Sequence, residues 1–158
     1  MLNILYEDDQ IIVVEKPVGI ESQSNRTFEP DMVSEVKKHI NSLSPKKGEP
    51  YVGVIHRLDK PVGGILVFGK TKEAAGALSK QVSGHQMEKK YLAVICGKPV
   101  DKQGTYVDYL RHYKENNTSK IVDKSDENSK KAVLNYRVLE VINNPKNQEQ
   151  ILSLIDIE

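Results

Sequence analysis

Short runs of strand-forming residues, most of them bounded by turn signals, limit most strongly how this chain folds. "IIVVE" (11–15) ends in the Pro/Gly turn "KPVG", and "YVGVIH" (51–56) and "GILVFGK" (64–70) flank a polar junction. "KKYLAVICG" follows, and beyond Pro99 come "GTYVDYLR", "SKIVD", "AVLNYRVLEVI" and "QILSLIDI". Only two stretches carry helical spacing. In "EPDMVSEVKKHINSL", Val33, Val36, Ile40 and Leu43 recur at steps of three, four and three on one face, with Asp31 near the start to answer the N-terminal amides. "TKEAAGALSKQVSG" (71–84) opens on Thr71, closes on Gly84 and places Ala75, Leu78 and Val82 together. Strands joined by short loops favour antiparallel pairing, so the expected fold is α+β: a mixed, largely antiparallel sheet with flanking helices. The stretch 124–131 reads as a mobile hairpin tip.

A length of 158 residues suits one domain, 1–158, able to bury a core. The formal net charge of +1 leaves no global basic field, although local patches of lysine can hide behind acidic residues elsewhere. Lysines do cluster in "PKKG" (45–48), "EKKY" (88–91) and "KSDENSKK" (124–131), which read first as solvated faces. Cys96 is the single cysteine, which rules out an intramolecular disulfide, points to a reducing compartment and suggests a thiol packed in the core. The N-terminus lacks the basic and apolar regions of a signal peptide, and no run reaches membrane-spanning length. The expected location is the cytoplasm, without membrane contact.

Two motif matches fail on physical grounds. Residues 64–71, "GILVFGKT", satisfy the P-loop expression, but a phosphate cradle needs a loop whose amides converge on the anion. Ile, Leu, Val and Phe between the glycines are strand formers, so no nucleotide cofactor is expected. "HRLD" differs from the kinase catalytic loop by an inserted Leu and a missing Asn. The four histidines, 39, 56, 85 and 112, lack zinc-site spacing, so no metal is expected.

The junction itself reads "HRLDKPVGG" (56–64). In an extended segment side chains alternate, which puts Arg57 and Asp59 on one side and His56 and Leu58 on the other. Leu58 can then anchor the segment while Arg57 and Asp59 face a cleft, and Gly63-Gly64 permit a tight return. Composition alone supports a structural Arg–Asp pair and a functional carboxylate equally. Tyr91, an aromatic in an alternating strand, reads on its own as a core residue.

Three segments in order, "ILYEDDQIIVVEKPVGI", "GVIHRLDKPVGGILVFGKTKEAAGALSKQ" and "MEKKYLAVICGKP", resemble the RluA-type pseudouridine synthases, which isomerise uridines in ribosomal and transfer RNA. The resemblance implies that Asp59 is the catalytic aspartate and that Arg57 helps hold the target uridine out of the RNA stack. It implies that Tyr91 contacts the uracil ring and assists proton removal from C5, with Lys89 in support. His56 and Lys60, flanking the motif, are expected to touch phosphate. It further implies RNA as partner, no redox step and no cofactor.

Family members often read H-R-L-D-x-x-T-S-G, and here Val62-Gly63 stand at the Thr-Ser place, as in a subgroup. The resemblance begins at the catalytic domain, with no N-terminal S4 domain expected. In the family the strand matching "ILSLIDIE" runs on into a Gly-Arg-x-His-Gln-type segment, whose arginine pairs with the aspartate. The expectation is therefore a catalytic domain incomplete at its C-terminus, weakly active or inactive alone. Such a chain would be prone to self-association through an open sheet edge. A non-catalytic RNA-binding remnant is the alternative.

Overall fold

The structure, a computed structural model, describes residues 2–24, 29–44 and 48–158. Lys46 and Lys47 of the first lysine cluster lie outside them. The chain forms two compact units, 1–87 and 88–158.

In the first unit, β1 (Asn3–Glu7), β2 (Ile11–Lys16), β3 (Gly53–Val54) and β4 (Gly64–Gly69) make a sheet of order β1-β2-β4-β3, with every pair antiparallel. β1 has no counterpart among the expected strands. Ile12, Val14, Leu66 and Phe68 alternate inward from the paired strands β2 and β4, as period-two burial demands. They close on Met32, Val33 and Val36 of helix α1 (Met32–Leu43), and Leu58 packs against this core. Ile40 is part of the expected helix face, but Leu43 at its end is 66% exposed.

Asp31 caps α1, its carboxylate accepting the Ser34 N–H at 2.7 Å, and Thr71 caps α2 (Lys72–Ser83) through the Ala74 N–H. The foot of α2 sits on two glycines paired across β3 and β4. A Cβ on Gly69 would come within 2.9 Å of Ala75, so the helix packs against bare backbone. The strand expected over 51–56 shrinks to Gly53–Val54, and residues 55–63 continue without ladder pairing.

The second unit is an all-strand sheet of order β5-β9-β8-β6-β7, again antiparallel throughout. Its strands are β5 (Tyr91–Cys96), β6 (Gln103–Tyr113), β7 (Thr118–Ile121), β8 (Lys130–Asn144) and β9 (Asn147–Ile157). The expected strands and the α+β class are thus present, spread over two sheets. Cys96 corrects its expectation: it is exposed, with its sulfur accepting from Gln150 Nε2 at 3.2 Å. The 124–131 stretch runs through side-chain-closed turns into the start of β8 at Lys130. Asp123 accepts the Ser125 N–H, Asp126 accepts the Asn128 N–H, and Arg111 pairs with Asp126 at 3.0 Å.

Candidate active site

The site is assembled from two turns that share the tetrapeptide KPVG, at 16–19 and 60–63. β2 ends in Lys16, whose side chain is wholly buried. Its ammonium donates to the carbonyls of Pro17 at 3.0 Å, Ile20 at 2.6 Å and Lys60 at 3.4 Å. The Lys60 carbonyl also accepts the Gly19 N–H at 2.8 Å, where Gly19 takes φ +91°. One turn therefore grips the backbone of the other immediately after Asp59.

A second clamp lies one residue before Asp59. The buried Ser22 hydroxyl donates to the Leu58 carbonyl at 2.7 Å and accepts the Leu58 N–H at 2.9 Å. Ser22 is itself placed by helix α1, because Glu21 bridges to Asp31 and its carbonyl accepts the Met32 N–H. Asp59 closes its own turn by accepting the Val62 N–H at 2.9 Å through its carbonyl. Gly64 returns the chain to β4 at φ +149°, with Leu58 3.2 Å from where a Cβ would stand. Neither requirement would tolerate another residue easily.

The expected alternation is present. Arg57 and Asp59 are exposed, while His56 and Leu58 are half-buried. Among the described residues no ion pair joins Arg57 to Asp59, so a simple structural Arg–Asp bridge does not account for the motif. Lys16 lies within the electrostatic reach of Asp59. Burial pushes the Lys16 ammonium below the usual lysine range, and Asp59 pulls it partly back. His56 turns toward the sheet, its Nε2 accepting the Val67 N–H at 3.4 Å. Lys60 reaches outward and lies 3.4 Å from Glu29. Lys89 and Tyr91 belong to the second unit, and both are exposed; Tyr91, 42% exposed at the head of β5, is not a core residue.

Lys16, Ser22 and Gly19 escaped the reading of the sequence, although the repeated KPVG was a visible signal. In the glycine–lysine string at 64–71, Gly64–Gly69 is strand β4, as its residues demanded, and Thr71 caps α2. Lys70 is held by the Glu7 carboxylate at 2.7 Å and the Asp8 carbonyl at 2.6 Å, beside a hollow of about 560 Å³ that contains none of the expected site residues.

The family model for RNA pseudouridylate synthase matches residues 10–156, and the chain belongs to this family, in its RluA-type branch. It is 34% identical over 140 residues to ribosomal large subunit pseudouridine synthase D of Nitrosomonas europaea, covering 88% of this chain and 39% of the relative. It is 33% identical over 141 residues to ribosomal large subunit pseudouridine synthase C of Rickettsia bellii, covering 89% and 44%. It is also 33% identical to tRNA pseudouridine synthase C of Pectobacterium carotovorum, covering 88% and 35%. The chain thus spans less than half the length of these relatives. Human RNA pseudouridylate synthase domain containing 4 shares the fold at a TM-score of 0.75 and 21% identity, over 98% of this chain and 57% of that one.

Proposed function

We propose that this protein converts uridine in structured ribosomal or transfer RNA to pseudouridine, with Asp59 as the catalytic carboxylate. The observation that carries the reading is the double clamp on Asp59. Ser22 fixes the backbone on one side and Lys16 with Gly19 on the other, leaving the carboxyl exposed. Such rigidity is wasted on a surface turn and useful for a reacting group.

The reaction breaks the C1′–N1 bond, turns the freed uracil and joins C1′ to C5. C5 loses its proton and N1 ends protonated, so atoms and electrons balance within one nucleoside and no redox cofactor is called for. Asp59 supplies the electron pair toward the nucleoside, in the manner of glycosidase carboxylates. Extruding the base costs a few kcal/mol, which Arg57 offsets by occupying the vacated stack. For Tyr91 and Lys89 we keep the roles that the family resemblance implies, contact with uracil and help with the C5 proton for Tyr91 and support for Lys89. Lys60 meets phosphate from the exposed side of the turn, and His56 backs the junction from the sheet side. The relatives' names, divided between the ribosomal large subunit and tRNA, support the substrate class. We place the protein in the cytoplasm, as one catalytic domain that self-associates through the open edge of its second sheet.

The test is tritium release from ribosomal and transfer RNA transcripts labelled at uracil C5. Release above background by the wild-type chain and its loss in Asp59→Asn are expected. The rival reading is a non-catalytic RNA-binding protein. Background release from both proteins, with RNA still bound, would select that rival.

A further inference from the structure

The outer corner of the second sheet concentrates cations and tyrosines on one face. Tyr109, Arg111 and Tyr113 alternate along β6 and so share that face. Their cross-strand partners are Lys131 opposite Tyr109 and Lys120 opposite Arg111. Lys124, from the turn after β7, stands 6.0 Å from the Tyr109 ring centre. Arg111 and Lys120 lie 5.1 Å and 5.8 Å from the Tyr113 ring centre.

Like charges directly opposite one another weaken a sheet. The pair Arg111–Lys120 is therefore a local liability that folding alone does not reward. Arg111 is answered by Asp126 at 3.0 Å, with Glu115 adding to its field. Lys120, Lys124 and Lys131 are exposed, and among the described residues none of them makes an ion pair. The ring contacts hold Lys120 and Lys124 in place, which lowers the entropy lost when an anion binds. Amines beside aromatic rings offer charge to the phosphates and ring contact to the unpaired bases of a single strand.

We propose that this corner, built from Tyr109, Arg111, Tyr113, Lys120, Lys124 and Lys131, is an RNA-binding surface that takes a single-stranded stretch of RNA. The proposal rests on the reading that the protein acts on RNA, and it adds a contact site on the second unit, away from the HRLD motif in the sequence.

The experiment measures binding of the full chain to a fluorescein-labelled stem–loop RNA with a uridine-rich loop, across a salt series. The triple variant Lys120→Ala/Lys124→Ala/Lys131→Ala should bind about tenfold more weakly or worse. Its slope of log K against log salt should be shallower by about 2, the loss expected from three single-strand phosphate contacts. Tyr113→Leu, checked for folding by circular dichroism, should weaken binding with a smaller change in slope. Unlabelled loop RNA should compete and polyglutamate should not. Unchanged affinity and slope in the triple variant, with wild-type binding intact, would overturn the RNA surface alone. Equal competition by polyglutamate would do the same by showing a surface for acidic proteins. No RNA binding by the wild-type chain would overturn both this surface and the RNA-directed function.

Discussion

Lys16 is the residue on which the candidate site turns. A lysine at the end of a strand ordinarily lies in solvent, yet this one is wholly buried and spends its ammonium on three carbonyls, one of them in the turn that follows Asp59. Burying the charge is unfavourable, and the hydrogen bonds it makes must more than offset that cost. Lys16→Met keeps the volume and removes the donor. It should lower stability by about 1–3 kcal/mol in urea unfolding, the range for leaving buried acceptors unsatisfied. Tritium release should fall further than the folded fraction accounts for, because the Asp59 turn loses one clamp. Lys16→Arg should not restore activity, since a planar guanidinium does not fit a pocket shaped for a compact ammonium. Equal activity per folded molecule in Lys16→Met would remove Lys16 from the positioning of Asp59. Beyond the repeated KPVG this was not legible in the sequence, which gives the type of a residue and not the backbone oxygens that converge on it. Arg57, Leu58 and Asp59 were legible, because alternation in an extended segment needs no tertiary information.

At the scale of elements, helix α1 is joined to the site by its own cap. Asp31 accepts the Ser34 N–H at 2.7 Å within the helix and the Ser24 N–H at 2.6 Å from the segment that carries Ser22. Burial pushes the Asp31 carboxyl up, but these amide donors, the Ser34 hydroxyl and the charge of Lys37 outweigh it and leave the group below its ordinary value. A depressed carboxylate stabilises the fold at pH above its unfolded value, and that stability is lost as pH falls through the folded one. Asp31→Asn should therefore flatten the loss of stability on acidification below about pH 4. Asp31→Ala should cost about 0.5–2 kcal/mol at neutral pH, as for other lost caps. Urea midpoints measured across acidic and neutral pH check both, and an unchanged acid profile in Asp31→Asn would show that other carboxylates set it. The two helices were legible because caps and spacing are local signals. The short β3 was not, because Gly53 and Gly69 are chosen for the approach of α2, a contact invisible in either strand alone. Leu43 and Cys96 misled because hydrophobic type predicts burial only where the element end is covered.

On the scale of the whole molecule, the two units differ in how well they close their own surfaces. The first wraps a helix over its sheet and buries a continuous cluster, whereas the second has no helix and leaves Leu92 69% and Val94 66% exposed on β5. β5 is an edge strand, and Val94 stands opposite Leu154 and Cys96 opposite Leu152, so the edge is both unpaired and apolar. Neither lysine nor proline interrupts β5, the usual devices that keep an edge from recruiting another strand. The formal net charge of +1 supplies little repulsion between copies. The chain should therefore associate with itself, and sedimentation equilibrium should show an apparent mass that rises with concentration. Val94→Lys places a charge in the middle of β5 without touching Ala93 or Ile95 on the opposite face, and should hold the protein as a monomer with its circular dichroism unchanged. If the wild-type chain is monomeric across the full concentration range, the apolar edge is not a self-association surface. If Val94→Lys associates as the wild type does, association runs through a different edge, for which β1 and β3 of the first sheet are the remaining candidates beside β7.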